Sequence, residues 1–248
     1  MPNIAYQLYC SRTHDIADVL PMLARLGYSQ VEGWGGLYAT HADLADLLKA
    51  NDLTMPTGHF GLEALEGDPV GTVAKARELG IDVVIVPAVG PELRRQDAGG
   101  WAALGGRLAE AAKPVLDAGM TFAWHNHDFE FAHLGGEDLP LDLILQGSED
   151  IGLEIDLAWV ERGGQDPLAW ARKYKDRLVA AHIKDIAPAG ENADEDGWAD
   201  VGHGTMNWSE IHPALQAMGV DRYILEHDKP SDHERFARRS LETVKGWL

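Results

Sequence analysis

The sequence is short of cysteine, of basic residues and of long apolar runs, and each shortage excludes a class of protein. Cys10 is the single cysteine among 248 residues, which excludes an intramolecular disulfide and a thiolate metal cage. No apolar run approaches the roughly 20 residues that a helix needs to span a bilayer. The first fifteen residues, MPNIAYQLYCSRTHD, lack a basic segment ahead of an apolar one. We therefore expect no signal peptide, no membrane partner and a cytoplasmic location.

The shortage of basic residues also bears on possible partners. Lys and Arg number 21 against 40 Asp and Glu, which gives a formal net charge of −19 at pH 7. A protein that binds a polyanion needs a concentrated basic surface, so nucleic acid and anionic membranes are disfavoured as partners. Apolar residues make up 45% of the chain, an ordinary globular composition, and 248 residues suffice for one large core.

Short β-rich runs alternate with segments of helical periodicity along the whole chain. The eight predicted strands are Ile4–Tyr9, Gln30–Trp34, Thr54–His59, Asp82–Pro87, Thr121–Asn126, Ile151–Asp156, Leu178–Ile183 and Arg222–Glu226. Between them, apolar residues recur every three or four positions, as from Trp101 to Val115, and glycines such as Gly27 and Gly80 follow predicted helices. This count and length predict a single (β/α)8 TIM barrel domain over residues 1–248. A doubly wound sheet is the alternative, but the turns after the first two strands lack a GxGxxG sequence.

Several polar segments are expected to be structural or solvated. The stretch 187–200, APAGENADEDGWAD, is typical of a surface loop, including its acidic run Glu191–Asp196. Five histidines fall in predicted helices or loops and are not expected to carry chemistry: His14, His41, His133, His212 and His233.

Ionisable residues interrupt the predicted strands at one place, their carboxyl ends. They are Glu32, His59, His125, His127, Glu154, Asp156, His182, Lys184, Glu226 and His227. In a barrel these ends meet at the face that carries the active site. Buried carboxylates and imidazoles are costly unless a cation compensates them, so the pattern predicts a divalent metal with N and O ligands. Glu32 has the alternative of a salt bridge at the rim, and Trp34, Trp124 and Trp159 are placed to stack on a sugar ring.

The run HNHDFEF, from His125 to Phe131, resembles the sugar phosphate isomerase/epimerase family of xylose isomerase-like TIM barrels. Other segments agree in the same order: LGYSQVEGWG (26–35), EIDLAWVERGGQDPLAW (154–170), AAHIKDI (180–186), VGHGTMNW (201–208) and YILEHD (223–228). The resemblance covers nearly the whole chain. Its motifs are specific to the family but not to one substrate.

The resemblance implies one divalent ion, Mn, Co, Zn or Mg, held from strands five to eight. Family members use a Glu, an Asp, a His and a second Glu, and Asp156, His182 and Glu226 match three of these positions. His125 stands where the family usually has a Glu, and a histidine can still ligate through nitrogen. We therefore predict His125, Asp156, His182 and Glu226 as ligands. The missing glutamate argues against a symmetrical two-glutamate mechanism.

The predicted reaction is isomerisation or epimerisation of a small sugar. A base removes a proton next to a metal-bound carbonyl, and an enediolate intermediate develops. Glu226 is the predicted base, and His127, Glu130 and Glu154 compete for the role of conjugate acid. Lys184 is predicted to bind a substrate oxygen or to act electrostatically. The predicted substrate contacts are His59, Trp34, Trp124 and His203.

Other functions remain open at this point. A lyase or dehydratase would use the same proton abstraction to eliminate from a keto-sugar or a 3-keto-glycoside. An endonuclease IV-like phosphodiesterase would need a basic groove, which the net charge of −19 disfavours. A non-catalytic sugar-binding protein would not need the metal ligands. Substrate phosphorylation and a homo-oligomeric state are also left open.

Overall fold

The computed structural model of the chain describes residues 3–94 and 96–247. The strands of this part are β1 (Asn3–Gln7), β2 (Gln30–Trp34), β3 (Thr54–His59), β4 (Val83–Val86), β5 (Thr121–His125), β6 (Ile151–Asp156), β7 (Leu178–Ile183), β8 (Asp185–Ile186), β9 (Trp198–Ala199) and β10 (Arg222–Leu225). The α-helices are α1 (Ile16–Leu26), α2 (Gly35–Thr40), α3 (Leu44–Ala50), α4 (Leu62–Gly67), α5 (Pro69–Leu79), α6 (Ala98–Asp117), α7 (Pro140–Leu145), α8 (Leu157–Arg162), α9 (Pro167–Lys173), α10 (Trp208–Ala217) and α11 (His233–Lys245). Among these described helices, none combines the length and the apolar character needed to cross a membrane.

Eight of the strands form a closed parallel barrel in the order β1-β10-β7-β6-β5-β4-β3-β2. Helices lie between consecutive barrel strands in the chain, which confirms the predicted TIM barrel and excludes the doubly wound alternative. The predicted bounds of β2, β3, β6 and β7 are the observed ones. The other four predictions differ from the structure by one or two residues at one or both ends, where strand boundaries are least sharply defined.

The chain divides into two compact units. Unit 1 comprises the chain up to Pro56 and from Ala180 onward, and unit 2 runs from Thr57 to Val179. Unit 1 contains β1, β2, β10, most of β7 and the first half of β3, whereas unit 2 contains β4, β5, β6 and the second half of β3. A single-domain organisation over residues 1–248 stays a prediction.

The core of unit 2 is built on strands that are buried on both faces. All four residues of β4 and all six of β6 are buried, as expected for parallel strands covered by helices. The predicted apolar stripe of α6, which includes Trp101, Leu108 and Val115, is buried. Gly105 of α6 lies so close to α7 that an added Cβ would be 2.7 Å from the carbonyl oxygen of Leu143. Only a residue without a side chain permits this approach.

Unit 1 closes around the pairing of β1 with both β2 and β10. Asp15 is the N-cap of helix α1, and its carboxylate accepts the backbone N–H of Ala17. It ends at Gly27, which has the left-handed φ of 95° that the sequence predicts for a C-cap. The hydroxyl of Tyr28 donates to the carbonyl oxygen of Ala237 at 2.8 Å and so ties the start of the chain to α11.

The prediction of a solvated loop at 187–200 is wrong for its second half. Strand β9 lies in this half and pairs in antiparallel orientation with β8, which precedes the segment. Trp198 of β9 is buried. Glu195 is also buried, because Arg235 of α11 donates to both of its carboxylate oxygens and Ser231 donates to one. These contacts lower the pKa of Glu195 to about 2, although its burial acts in the opposite direction. The local sequence looks solvated because its compensating arginine lies 40 residues further along the chain.

Candidate active site

Two clusters of buried polar residues lie at the carboxyl ends of the barrel strands. The unit 1 cluster consists of Gln7, Glu32, His182, Lys184, Glu226 and Asp228. The unit 2 cluster consists of His59, His125, Asn126, Glu154 and Asp156. The structure thus brings the predicted strand-end residues together within each unit, at the ends where barrel enzymes carry their active sites.

An imidazole joins two carboxylates in the unit 1 cluster. His182 Nε2 lies 2.9 Å from Glu32 Oε1, and His182 Nδ1 lies 3.0 Å from Glu226 Oε2. Gln7 Nε2 donates to the same Glu32 Oε1 at 2.7 Å. Glu32 has no exposed surface, so it belongs to this network and does not form a salt bridge at the rim.

Lys184 places a positive charge inside the unit 1 cluster. Its Nζ donates to Glu226 Oε2 at 3.1 Å and to Asp228 Oδ2 at 2.5 Å, and it lies 4.2 Å from the centre of the Trp198 ring. The lysine is fully buried, and burial raises the pKa of Asp228 above its ordinary value. A buried ammonium between two carboxylates compensates charges that would otherwise be very costly. Arg12 Nη1 adds a hydrogen bond to the backbone carbonyl of Asp228 at 2.6 Å.

Glu154 lies between two imidazoles in the unit 2 cluster. His59 Nε2 is 2.7 Å and His125 Nδ1 is 3.2 Å from Glu154 Oε2. A possible ligand atom of His59, one of His125 and one of Glu154 all lie within 4.8 Å of one another. The possible ligand atoms of His125 and Asp156 are also within 4.8 Å of each other. His59, predicted as a substrate contact, is therefore a neighbour of the glutamate.

The amide of Asn126 fixes the backbone of Asp156 from both sides. Asn126 Oδ1 accepts the N–H of Asp156 at 3.0 Å, and Asn126 Nδ2 donates to its carbonyl oxygen at 3.1 Å. One carboxylate oxygen of Asp156 accepts the N–H of Trp159 at 2.8 Å and thereby caps α8. These contacts hold the Asp156 side chain in one orientation at the end of β6.

Glu130 holds the turn that follows β5. Its two oxygens accept the Trp124 indole N–H at 3.1 Å and the His127 backbone N–H at 2.9 Å. Glu130 is completely buried, and burial raises its pKa to about 8. Trp124 has no exposed surface either and offers no stacking face to a sugar. It neighbours His125 on the strand, so the two side chains point to opposite faces.

The candidate acid His127 and the remaining predicted substrate contacts, Trp34 and His203, are at least partly exposed. His127 is half-buried, and its ring centre lies 5.1 Å from that of His125 and 5.4 Å from that of Trp159. Trp34 is half-buried at the end of β2 and meets Tyr9 edge-on at 5.3 Å. His203 is exposed and lines a different pocket of unit 1, with a volume of about 370 Å³.

His227 follows Glu226 but turns away from the unit 1 cluster. It is buried, and its Nε2 lies 3.3 Å from Glu195 Oε2. Burial lowers the pKa of His227 to about 4. Its backbone N–H donates to Cys10 Sγ at 3.2 Å, so the single cysteine is a buried acceptor. The role of His227 in the structure is to anchor the end of β10.

A sequence profile described as "Xylose isomerase-like TIM barrel" matches residues 20–247. The chain belongs to this family. The resemblance carried by HNHDFEF is thereby confirmed. A comparison with functionally curated proteins found no match.

Solved structures with the same fold have low sequence identity to this family member. A sugar phosphate isomerase/epimerase from Parabacteroides distasonis is 19% identical with a TM-score of 0.81, over 98% of this chain and 93% of that one. A probable 3-DHS dehydratase from Bacillus anthracis is 12% identical with a TM-score of 0.78, over 98% of both chains. D-Psicose 3-epimerase from Clostridium cellulolyticum H10, solved with D-tagatose, is 14% identical with a TM-score of 0.73, over 99% of both chains. At these identities the likeness concerns the fold alone.

Four cluster residues are not among the predicted site residues: Gln7, Glu32, Asn126 and Asp228. The sequence leaves Glu32 with two interpretations, and its patterns assign no role to the other three. Gln7 ends β1 and is a polar residue with no exposure, and Asp228 is the last residue of the YILEHD segment. The sequence signal that identifies such residues is a polar side chain, amides included, at the end of any barrel strand.

Proposed function

We propose that this protein is a divalent-metal-dependent isomerase or epimerase that acts on a small sugar. The proposal depends above all on Glu226, a carboxylate at the end of β10 that retains 5% exposure and contacts both His182 and Lys184. A general base needs such a position, within reach of a substrate and with charged partners around it. Membership of a family of typically enzymatic barrels supports the same reading.

The donor set fits a divalent cation. We keep the four ligands that the sequence predicts, His125, Asp156, His182 and Glu226. Two imidazole nitrogens with two carboxylates suit Mn, Co, Zn or Mg. The bound cation supplies positive charge that stabilises an oxyanion as a neighbouring proton is removed.

The side chains divide the proton transfers between them. Glu226 takes the proton next to the sugar carbonyl, and the Lys184 ammonium stabilises the ionised carboxylate that this step requires. Of the three candidates for the acid, Glu130 and Glu154 have no exposed surface, whereas His127 is half-buried. We therefore assign the return of a proton to His127. Trp34 and Trp159, both half-buried, are the proposed stacking surfaces for the sugar ring.

Elimination from a keto-sugar or 3-keto-glycoside is the second candidate. It is favoured by His125, which stands where a symmetrical two-glutamate epimerase would have its second glutamate. Elimination needs one base and one acid for the leaving group, and Glu226 with His127 meets that need. The fold is also that of a probable dehydratase, although fold alone does not establish a reaction.

Mass spectrometry in heavy water distinguishes these candidates. Ketoses and 3-keto-glycosides are incubated with the manganese-loaded protein. An isomerase gives products of unchanged skeleton that have gained one deuterium, whereas a lyase gives lighter products that have lost water or an aglycone. Elimination products without isomers would reject our first choice. Ligand binding with no change in mass under any metal would support a sugar-binding protein instead.

A further inference from the structure

The hydrogen bonds around His182 determine which of its ring nitrogens carries a proton. The deduction starts at Tyr9, whose backbone N–H donates to Gln7 Oε1 at 3.0 Å. A backbone N–H is always a donor, so this contact fixes the orientation of the Gln7 amide. Gln7 must then present its NH₂ group to Glu32, which it contacts at 2.7 Å.

Glu32 Oε1 is consequently an acceptor, and it accepts twice. The second contact is His182 Nε2 at 2.9 Å, so this nitrogen carries a hydrogen. Gln7, Glu32 and His182 are all completely buried, which leaves no exposed solvent to substitute for these hydrogen bonds. In the neutral imidazole the lone pair is then on Nδ1, the nitrogen that faces Glu226 at 3.0 Å.

We propose that Glu32, oriented by Gln7, is a positioning residue that holds His182 as the Nε2–H tautomer and so makes Nδ1 its metal-binding nitrogen. This inference rests on the proposed function, because it takes His182 and Glu226 as ligands of one ion. The carboxylate behind a ligating histidine fixes the ring and raises its basicity, and loss of such a partner typically weakens metal binding about 10–100-fold.

Metal titrations test the affinity. The dissociation constant for Mn²⁺ is measured by calorimetry and by the electron paramagnetic resonance signal of free Mn²⁺. Glu32→Gln keeps the size of the side chain and is expected to weaken binding about 10–100-fold. Gln7→Leu leaves Glu32 in place and is expected to weaken binding by a smaller factor. Glu66→Gln, which removes a surface partner of Arg107, serves as the matched control and should bind Mn²⁺ like the wild type.

Nitrogen NMR tests the tautomer directly. Long-range ¹H–¹⁵N spectra of histidine-labelled, zinc-loaded protein should show His182 with a hydrogen on Nε2 and the metal on Nδ1. A merely structural Glu32 would alter the melting temperature of the variant without changing the nitrogen that binds zinc. The buried His212 in α10 provides an internal reference signal that neither variant should shift.

The possible results distinguish failure of this inference from failure of the proposed function. If wild type binds Mn²⁺ and Glu32→Gln binds it within twofold as tightly, or if zinc lies on Nε2, the positioning role is rejected and the proposed function stands. If wild type binds no divalent ion, both are rejected. If Glu32→Gln does not fold, Gln7→Leu and the wild-type spectrum decide. Weaker binding in both variants together with zinc on Nδ1 supports the inference.

Discussion

The two compact units compensate their buried carboxylates by different means. In unit 1 the ammonium of Lys184 lies 3.1 Å from Glu226 Oε2. In unit 2 Glu154 lies against the imidazoles of His59 and His125, whose charge depends on protonation. A neutral imidazole offers a lone pair to a metal, whereas an ammonium offers none. The unit 1 cluster therefore carries its own cation, and the unit 2 cluster depends more on an added one.

Removal of the metal is expected to have the largest effect. Dialysis against EDTA should abolish turnover, a loss of ~10³-fold or more if the ion contributes several kcal/mol, and Mn or Co should restore it. Hydrogen exchange followed by mass spectrometry should show greater loss of protection at 121–131 and 151–162 than at 178–186. Equal loss of hydrogen-exchange protection in both units would contradict the proposed difference between unit 1 and unit 2. Full activity in verified apo-protein would reject the proposed mechanism.

The two buried glutamates are expected to differ in kind. Glu226→Gln removes the proposed base and weakens the proposed metal site, so it should slow exchange of the substrate proton with heavy water by ~10²–10⁴-fold. Glu154→Gln should leave that exchange measurable and act mainly on metal affinity, by ~10–100-fold, because Glu154 contacts the ring of His125. Undiminished exchange in Glu226→Gln would show that the base lies elsewhere.

Loss of the Lys184 ammonium should reduce stability. Lys184→Met leaves the buried Glu226 and the partly buried Asp228 without their ammonium, and the free energy of unfolding should fall by about 3–5 kcal/mol. Lys229→Met breaks a solvent-exposed pair with Asp196 and is the matched control, with an expected change of ~1 kcal/mol or less. Calorimetric unfolding in EDTA measures both. A Lys184 variant as stable as its control would mean that the ammonium does not compensate these carboxylates.

The smallest effect concerns the pH dependence contributed by Glu130. Its pKa is about 8 in the folded protein against an ordinary value of 4.5, so the folded state keeps the proton to higher pH. The free energy of unfolding should therefore fall as the pH rises from 4.5 to about 8 and level off above that. Glu130→Gln should lose this slope, which urea unfolding at several pH values measures. The exposed Glu63→Gln is the control, and an unchanged slope in Glu130→Gln would contradict the assignment.

The barrel and the general position of its polar residues were predictable from the sequence. Strands such as β4 and β6 are apolar enough to be buried on both faces, so charges at their carboxyl ends stand out. The same logic placed Glu154, Asp156 and His182 correctly at strand ends. Periodicity works here because each of these signals lies within one short run of residues.

The predictions that were wrong or incomplete mostly concern side chains whose partners are distant in the chain. Glu195 looked solvated because its arginine, Arg235, lies on the last helix. The sequence leaves Glu32 with two interpretations because its partner His182 lies 150 residues away in the chain. Trp124 is a different case, since strand alternation alone excludes it from the face of His125. Local patterns therefore locate the ends of the strands, but they do not reveal which side chains compensate one another there.

The divided connectivity of unit 1 has a consequence for biosynthesis. Strands β1 and β2 are translated before unit 2, and the whole of unit 2 is translated before β10, the second partner of β1. At about 5–20 residues per second that interval lasts on the order of ten seconds. Unit 2 is one continuous stretch, so all of it is translated while β1 still lacks its β10 partner. Pairing of β1 with β10 is therefore a late step in the synthesis of this chain, and until then that edge of β1 is open to other strands.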